Sequence, residues 1–221
     1  VLRRKQHAFG YSEEELRMIL SPMASQGQEA VGSMGNDAAL AVLSNRPQLL
    51  FAYFKQLFAQ VTNPPIDPYR EELVMSLMSF LGRERNILDE TPEHCRRLEL
   101  HHPILTPQDM VRLRRANHPD IVTAELDSLF PAHGDGNVLA SELDSLFEQA
   151  ERHIANGVSV LILTDRKMSE NFAPIPILLA VSGLHHHLIR KGLRTSASII
   201  AETGEAREVM HFALLLGYGA S

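Results

Sequence analysis

His185, His186 and His187 place three imidazoles in a row, and imidazole is the commonest side-chain ligand for a transition metal. On a helix, however, consecutive residues point about a third of a turn apart, so three neighbours cannot share one ion efficiently. Catalytic zinc sites set two histidines at i and i+4 with a carboxylate, as in His-Glu-x-x-His, and that pattern is absent. Near a helix C-terminus the same rings meet the dipole and cap carbonyls, which weighs against a metal-dependent hydrolase built on 185–187. His101-His102-Pro103 meets the same objection. Cys95 lies in Glu93-His94-Cys95-Arg96, where basic neighbours favour a thiolate, but no nucleophile context surrounds it, and the expectation is a buried structural thiol. Gly27, Gly32 and Gly35 suggest a phosphate loop; no strand precedes them and no Gly-Lys-Ser/Thr follows.

Two acidic positions are better placed. Asp165-Arg166-Lys167 and Glu202-Thr203-Gly204 each follow an apolar, β-branched run, and in parallel α/β folds the carboxyl ends of strands hold most ligand sites. No paired nucleophile and base can be assigned there, and helix capping accounts for Thr203 and Glu205. A free-standing α/β small-ligand-binding module with its site at Asp165 and Glu202 is the alternative reading of the chain.

Gln60-Val61-Thr62-Asn63-Pro64-Pro65-Ile66-Asp67-Pro68 carries no reactive group but is the most unusual stretch. Its prolines remove backbone donors and fix φ, so 63–68 cannot continue a helix or join a central strand. A stiff, extended, apolar segment of this kind either turns the chain between two packed helices or holds Thr62, Asn63 and Asp67 rigidly toward a partner surface or a passage.

The elements that position these residues follow from periodicity. Ser12-Glu13-Glu14-Glu15 opens a helix through Leu20 that Pro22 ends, and 23–36 reads as an irregular loop. Residues 47–59 read as a helix with Leu50, Phe51, Phe54, Leu57 and Phe58 on a core face, and 69–81 as an amphipathic helix closed by Gly82. Thr106-Pro107-Gln108-Asp109 caps a short helix. Beyond 118 the pattern becomes strand 121–126, helix 139–155, strand 158–164, helix 175–190, strand 195–202 and a last helix from Thr203 to Leu216. The expected fold is α/β: a mainly helical part with the proline loop over 1–117, then a β-α repeat part over 118–221. Its three units make a partial parallel sheet, incomplete and barrel-like, because three cannot close a barrel.

Composition narrows the function classes. The chain has 221 residues, 44% hydrophobic and 22% charged, with net charge −6. These are values of an ordinary soluble domain. Its Lys and Arg form no aromatic-interleaved stripe, so nucleic acid is not an expected partner, and no apolar run has the length of a membrane span. One cysteine excludes an internal disulfide framework and suits a reducing cytosol, so the expected location is cytoplasmic. Val1 starts within a charged segment, and Gly217 ends a helix where a new strand is expected; both ends read as cut, as in a domain excised from something longer.

Several segments resemble the central domain of the glutamate synthase large subunit: Ala8-Phe9-Gly10-Tyr11, Gly32-Ser33-Met34-Gly35-Asn36-Asp37, Tyr53-Phe54-Lys55-Gln56, the proline loop with Arg70-Glu71-Glu72, Ala173-Pro174-Ile175-Pro176, His185-His186-His187, Gly204-Glu205-Ala206-Arg207-Glu208 and Leu216-Gly217-Tyr218-Gly219-Ala220. They run in family order along nearly the whole chain. Departures are Ala38-Ala39 after Asp37, and Met210 before His211. The resemblance implies a single non-catalytic central domain over 1–221. Its expected partners are a glutaminase domain and an FMN-binding synthase domain of the same polypeptide. FMN and an iron-sulfur cluster lie in the latter, and electrons arrive from a donor subunit or ferredoxin. It further implies that Thr62, Asn63, Pro64, Pro65, Ile66 and Asp67 help wall or couple an ammonia tunnel. A domain without its neighbours is expected to expose apolar surface and self-associate.

Overall fold

The computed structural model describes residues 2–27, 40–54 and 65–221, which fall into two compact units. The first unit takes residues 1–76 and 205–214. It begins with α1 (Leu2–Ala8). Ser12 then caps α2 (Glu13–Glu15): Glu15 N–H donates to Ser12 Oγ at 3.1 Å, and Ser12 N–H donates to Glu15 Oε2 at 2.8 Å. The helix does not stop at Pro22. Leu16–Leu20 widens into a π turn, with Ser21 N–H bonded to Leu16 O, and α3 (Ser21–Gln26) starts beyond it with Pro22 in its first turn. The π turn opens the bonding ladder just before the proline, which lacks an N–H, and Gly27, at φ 64°, closes the helix. Leu50–Phe54 is a 3₁₀ turn rather than an α-helix, with Phe51 fully buried; Leu57 and Phe58 lie outside the described residues. α4 (Pro68–Val74) follows the proline loop.

The second unit takes 77–204 and 215–221. The helix expected over 69–81 is shorter: Met75 is extended, and β1 (Ser79–Leu81) pairs antiparallel with β2 (Leu98–Leu100). The apolar spacing of Leu73, Leu77, Phe80 and Leu81 misleads because the first three are exposed and Leu81 alone is buried, on β1, so no continuous buried face rewards the helix. α5 (Pro107–Arg114) opens with a capping box between Thr106 and Asp109. The chain then runs through β3 (Thr123–Asp127), β4 (Leu129–Pro131), α6 (Val138–Ala155), β5 (Val160–Thr164), β6 (Phe172–Pro174), α7 (Ile177–Arg190), β7 (Ser198–Glu202) and α8 (Val209–Gly217).

β3, β5 and β7 form the parallel sheet in that order, in register Ala124 to Leu161 to Ile199. β5 is buried along its whole length, as a central parallel strand must be. Its two faces separate by alternation. Val160 and Ile162, with Ile200, join Leu81, Met110, Leu113 and Ile121 in one core, leaving Leu161, Leu163 and Ile199 to the opposite side. α6 packs on α7, and α7 on β5 and β7, which gives an open α/β layer and no closed barrel among the described residues. The antiparallel pair β4–β6 was not legible in the sequence. α8 begins at Val209 instead of Thr203, because the amides that would start it are spent elsewhere: Gly204 N–H on Asp165, and Arg207 N–H on His211. No helix among the described residues is long and apolar enough to cross a membrane.

Candidate functional site

The parallel register brings the ends of β3, β5 and β7 side by side, so Asp165 and Glu202 meet as their sequence positions suggest: Asp165 N–H donates to Glu202 O at 3.3 Å. Their carboxylates are consumed locally. Glu202 Oε2 accepts from Arg114 Nη2 at 2.7 Å and from Thr164 Oγ1 at 2.8 Å. Arg166 Nε stands 2.7 Å from Oε1, close enough for charge pairing but off the line of a hydrogen bond. Arg114 also bonds Glu125 on β3, which ties α5 to the sheet edge. Burial pushes Glu202 upward, but the bond from Arg114, the Arg166 guanidinium beside it and the bond from Thr164 outweigh burial and hold the carboxyl below its ordinary range. Asp165 is the reverse case. Burial raises it, against the pull of Thr203 Oγ1 (2.5 Å) and Gly204 N–H (3.1 Å), and the Glu202 charge adds to the rise. Lys167 Nζ closes the rim on Asp127 at 2.8 Å. This is a self-neutralised ionic edge rather than an open ligand cradle.

The three consecutive histidines serve separate tasks. His185 Nδ1 accepts from Arg194 Nε at 2.8 Å, and burial followed by the Arg194 charge lowers the ring's pKa. His186 is exposed. His187 Nε2 lies 2.6 Å from Glu151 and its ring stacks on Phe147 at 5.0 Å. Among the described residues no group of three or more His, Cys, Asp or Glu is arranged to hold a metal. Arg194 continues from His185 to Ala197 O (3.0 Å), Gly219 O (2.9 Å) and Ser221 Oγ (2.7 Å). Gly219 sits at φ 116°, and a Cβ there would overlap the His185 ring. Cys95, expected to be buried, is exposed at the end of a 3₁₀ turn (Pro92–Cys95), where the turn presents its side chain to solvent.

In the first unit, Arg207 joins two of the motifs quoted above. Its guanidinium is fully buried. It donates to Phe9 O at 2.5 Å, Gly10 O at 3.4 Å and Glu15 Oε1 at 3.0 Å, and lies 3.8 Å over the Tyr11 ring. Its own N–H donates to His211 Nδ1 at 3.2 Å, and that ring stacks on Phe51 at 4.2 Å. Burial first, then the Arg207 charge, lowers the His211 pKa to about 4, so the ring is neutral at pH 7. Sequence reasoning missed Arg207, Arg114 and Arg194. Arg207 and Arg194 each stand alone in a Gly-containing segment, while Arg114 sits among Arg112 and Arg115, and no local spacing singles it out. Of the proline loop, Thr62, Asn63 and Pro64 lie outside the described residues; Pro65, Ile66 and Asp67 are exposed. Asp67 Oδ1 caps α4, accepting from Tyr69 N–H at 3.1 Å and Arg70 N–H at 3.2 Å.

An open three-stranded parallel layer with a closed ionic rim, preceded in sequence by a mainly helical unit that carries the proline-rich segment, defines an α/β domain without a catalytic constellation among the described residues. Residues 4–221 match the family model for the glutamate synthase central domain, and the chain belongs to that family. It is 53% identical over 219 residues to the glutamate synthase [NADPH] large chain of Bacillus subtilis, covering 99% of this chain and 14% of that one. It is 47% identical over 222 residues to ferredoxin-dependent glutamate synthase 2 of Synechocystis, covering 99% and 14%. To glutamate synthase [NADH] of Saccharomyces cerevisiae it is 47% identical over 214 residues, covering 96% and 10%. The chain thus spans about a seventh of the length of the bacterial relatives it matches.

Proposed function

We propose that this chain is the non-catalytic central domain of a glutamate synthase, which converts glutamine and 2-oxoglutarate to two glutamates. In this reading it links a glutaminase domain to an FMN and iron-sulfur synthase domain and helps wall the passage for ammonia between them. The observation that carries the reading is the family match over 4–221. The chemistry of the chain agrees with the non-catalytic part. An iron-sulfur cluster takes several thiolates and the chain has one cysteine. At the sheet edge where ligands usually sit, Arg114, Arg166 and Lys167 are already spent on Glu125, Glu202 and Asp127, which leaves a flavin phosphate no counter-charge there. Neither group fits these residues, so both belong to the neighbouring synthase domain. Electrons reach that domain from a donor subunit or ferredoxin.

Ammonia released by glutaminase must be kept from bulk water, where it is protonated or lost, and a stiff dry segment does this with little entropy to lose. Thr62, Asn63, Pro64, Pro65, Ile66 and Asp67 form that wall, with Thr62 and Asn63 able to hydrogen-bond ammonia. The test is Asn63→Ala in the full-length enzyme, with glutamine hydrolysed and glutamate formed measured together. Hydrolysis in excess of synthesis, with free ammonia released, is the expected result. Strict stoichiometry in the variant refutes the assignment.

A further inference from the structure

At the end of the sheet opposite the ionic rim, before β3 and β5 begin, a cavity of about 140 Å³ is lined by Arg83, Arg85 and Arg96 with Glu93, Asp120 and Ser159. Three guanidinium groups here meet two carboxylates, which leaves the lining one positive charge in excess. Glu93 lies 3.8 Å from Arg96 and feels the Arg85 charge, while Asp120 lies 3.9 Å from His118. Ser159 Oγ is spent on Asp120 O (2.8 Å) and Val122 N–H (3.0 Å). Arg83 lines the cavity and forms no ion pair with any described residue. An arginine cannot shed its proton, so a guanidinium left without a counter-charge calls for an anion. The backbone on either side is pinned: Gly82 N–H donates to Ser198 Oγ at 3.1 Å and Glu84 N–H to Thr195 O at 2.8 Å.

We propose that this cavity is an oxyanion site that receives one carboxylate or phosphate group on the Arg83 fork, with Arg85 beside it. The residual charge of the lining suits a single such group, and the volume admits that group but not a nucleotide. The anion is either a free small molecule or an acidic side chain from elsewhere in the polypeptide; the chemistry of recognition is the same.

The first arm of the test measures binding of inorganic phosphate and of acetate to the 221-residue chain by calorimetry, with chloride at matched ionic strength as reference. Saturable binding is expected, weakened about tenfold or more in Arg83→Gln, with Arg83→Lys between the two because it keeps the charge without the fork. Arg85→Gln, at an exposed side chain the fold can lose, weakens binding as well and covers the case where Arg83→Gln fails to fold. The second arm follows hydrogen exchange at 83–96 in the full-length enzyme. Faster exchange in Arg83→Gln, partly restored in Arg83→Lys, with no binding of small anions, assigns the carboxylate to the protein itself. Absence of binding together with unchanged exchange overturns the proposal.

Discussion

The Arg207 side chain holds five partners at once, the carbonyls of Phe9, Gly10 and Glu205, the Glu15 carboxylate and the Tyr11 ring, and its removal leaves three carbonyls and that carboxylate without their cation. Arg207→Leu is expected to cost about 3 kcal/mol, read by chemical denaturation, and Arg207→Lys less, since it keeps the charge but loses the fork. His211 sets a pH dependence whose sign is fixed. Its folded pKa, about 4, lies below the ordinary 6.5, so the neutral ring's stabilisation is complete above 6.5 and is lost as pH falls toward 4. Titrating stability across that window should show the loss, and His211→Phe, which keeps the stack on Phe51, should flatten it. Gly219→Ala is expected to destabilise by about 2–3 kcal/mol, with His185→Ala in the same chain recovering only part. The second change removes the overlap but leaves the strain at φ 116°.

Between α6 and α7 the close approach rests on Gly183, where a Cβ would come within 2.7 Å of the Phe147 ring. Alanine is the better helix former by about 1 kcal/mol, yet Gly183→Ala should lower stability, because the ring must move against a packed layer. Phe147→Leu should restore part of it, and thermal unfolding of the double variant checks this. Asp67→Ala removes the α4 cap at a cost of about 1 kcal/mol, whereas Asp67→Asn keeps it, a difference measurable by helix-probe hydrogen exchange. Elements with local signatures were legible. The capping box at Ser12, the cap at Thr106, the buried run of β5 and the order of the β-α units all follow from neighbours within a few residues. What escaped is decided at long range. β1 exists because Leu98–Leu100 completes its bonds, β4–β6 because β3 and β5 end side by side, and the late start of α8 because Asp165 and His211 take its first amides. The candidate residues Asp165 and Glu202 were placed correctly by strand ends, but the arginines that neutralise Glu202 come from α5 and the turn after β5, and no spacing rule reveals that.

In the first unit the apolar surface around α4 stands out: Tyr69 is 85% and Leu73 86% exposed, with Val74 and Met75 also open. A single domain rarely leaves so much together without a covering partner. The 221-residue chain is therefore expected to self-associate with rising concentration, and Leu73→Glu to shift sedimentation back toward the monomer; unchanged sedimentation in the variant would place the sticky surface elsewhere. The two compact units are also interleaved along the sequence, since 205–214 returns to a unit whose other residues precede 77. That return has a consequence in time. Arg207 is separated from Gly10 by 197 residues, so on a ribosome adding about 5–20 residues per second the first helices emerge roughly 10–40 s before their arginine exists. β3 and β5 can pair in that interval, with β7 completed only just before Arg207, while the leading segment stays open to chaperones and proteases until nearly the last residue of this stretch is translated.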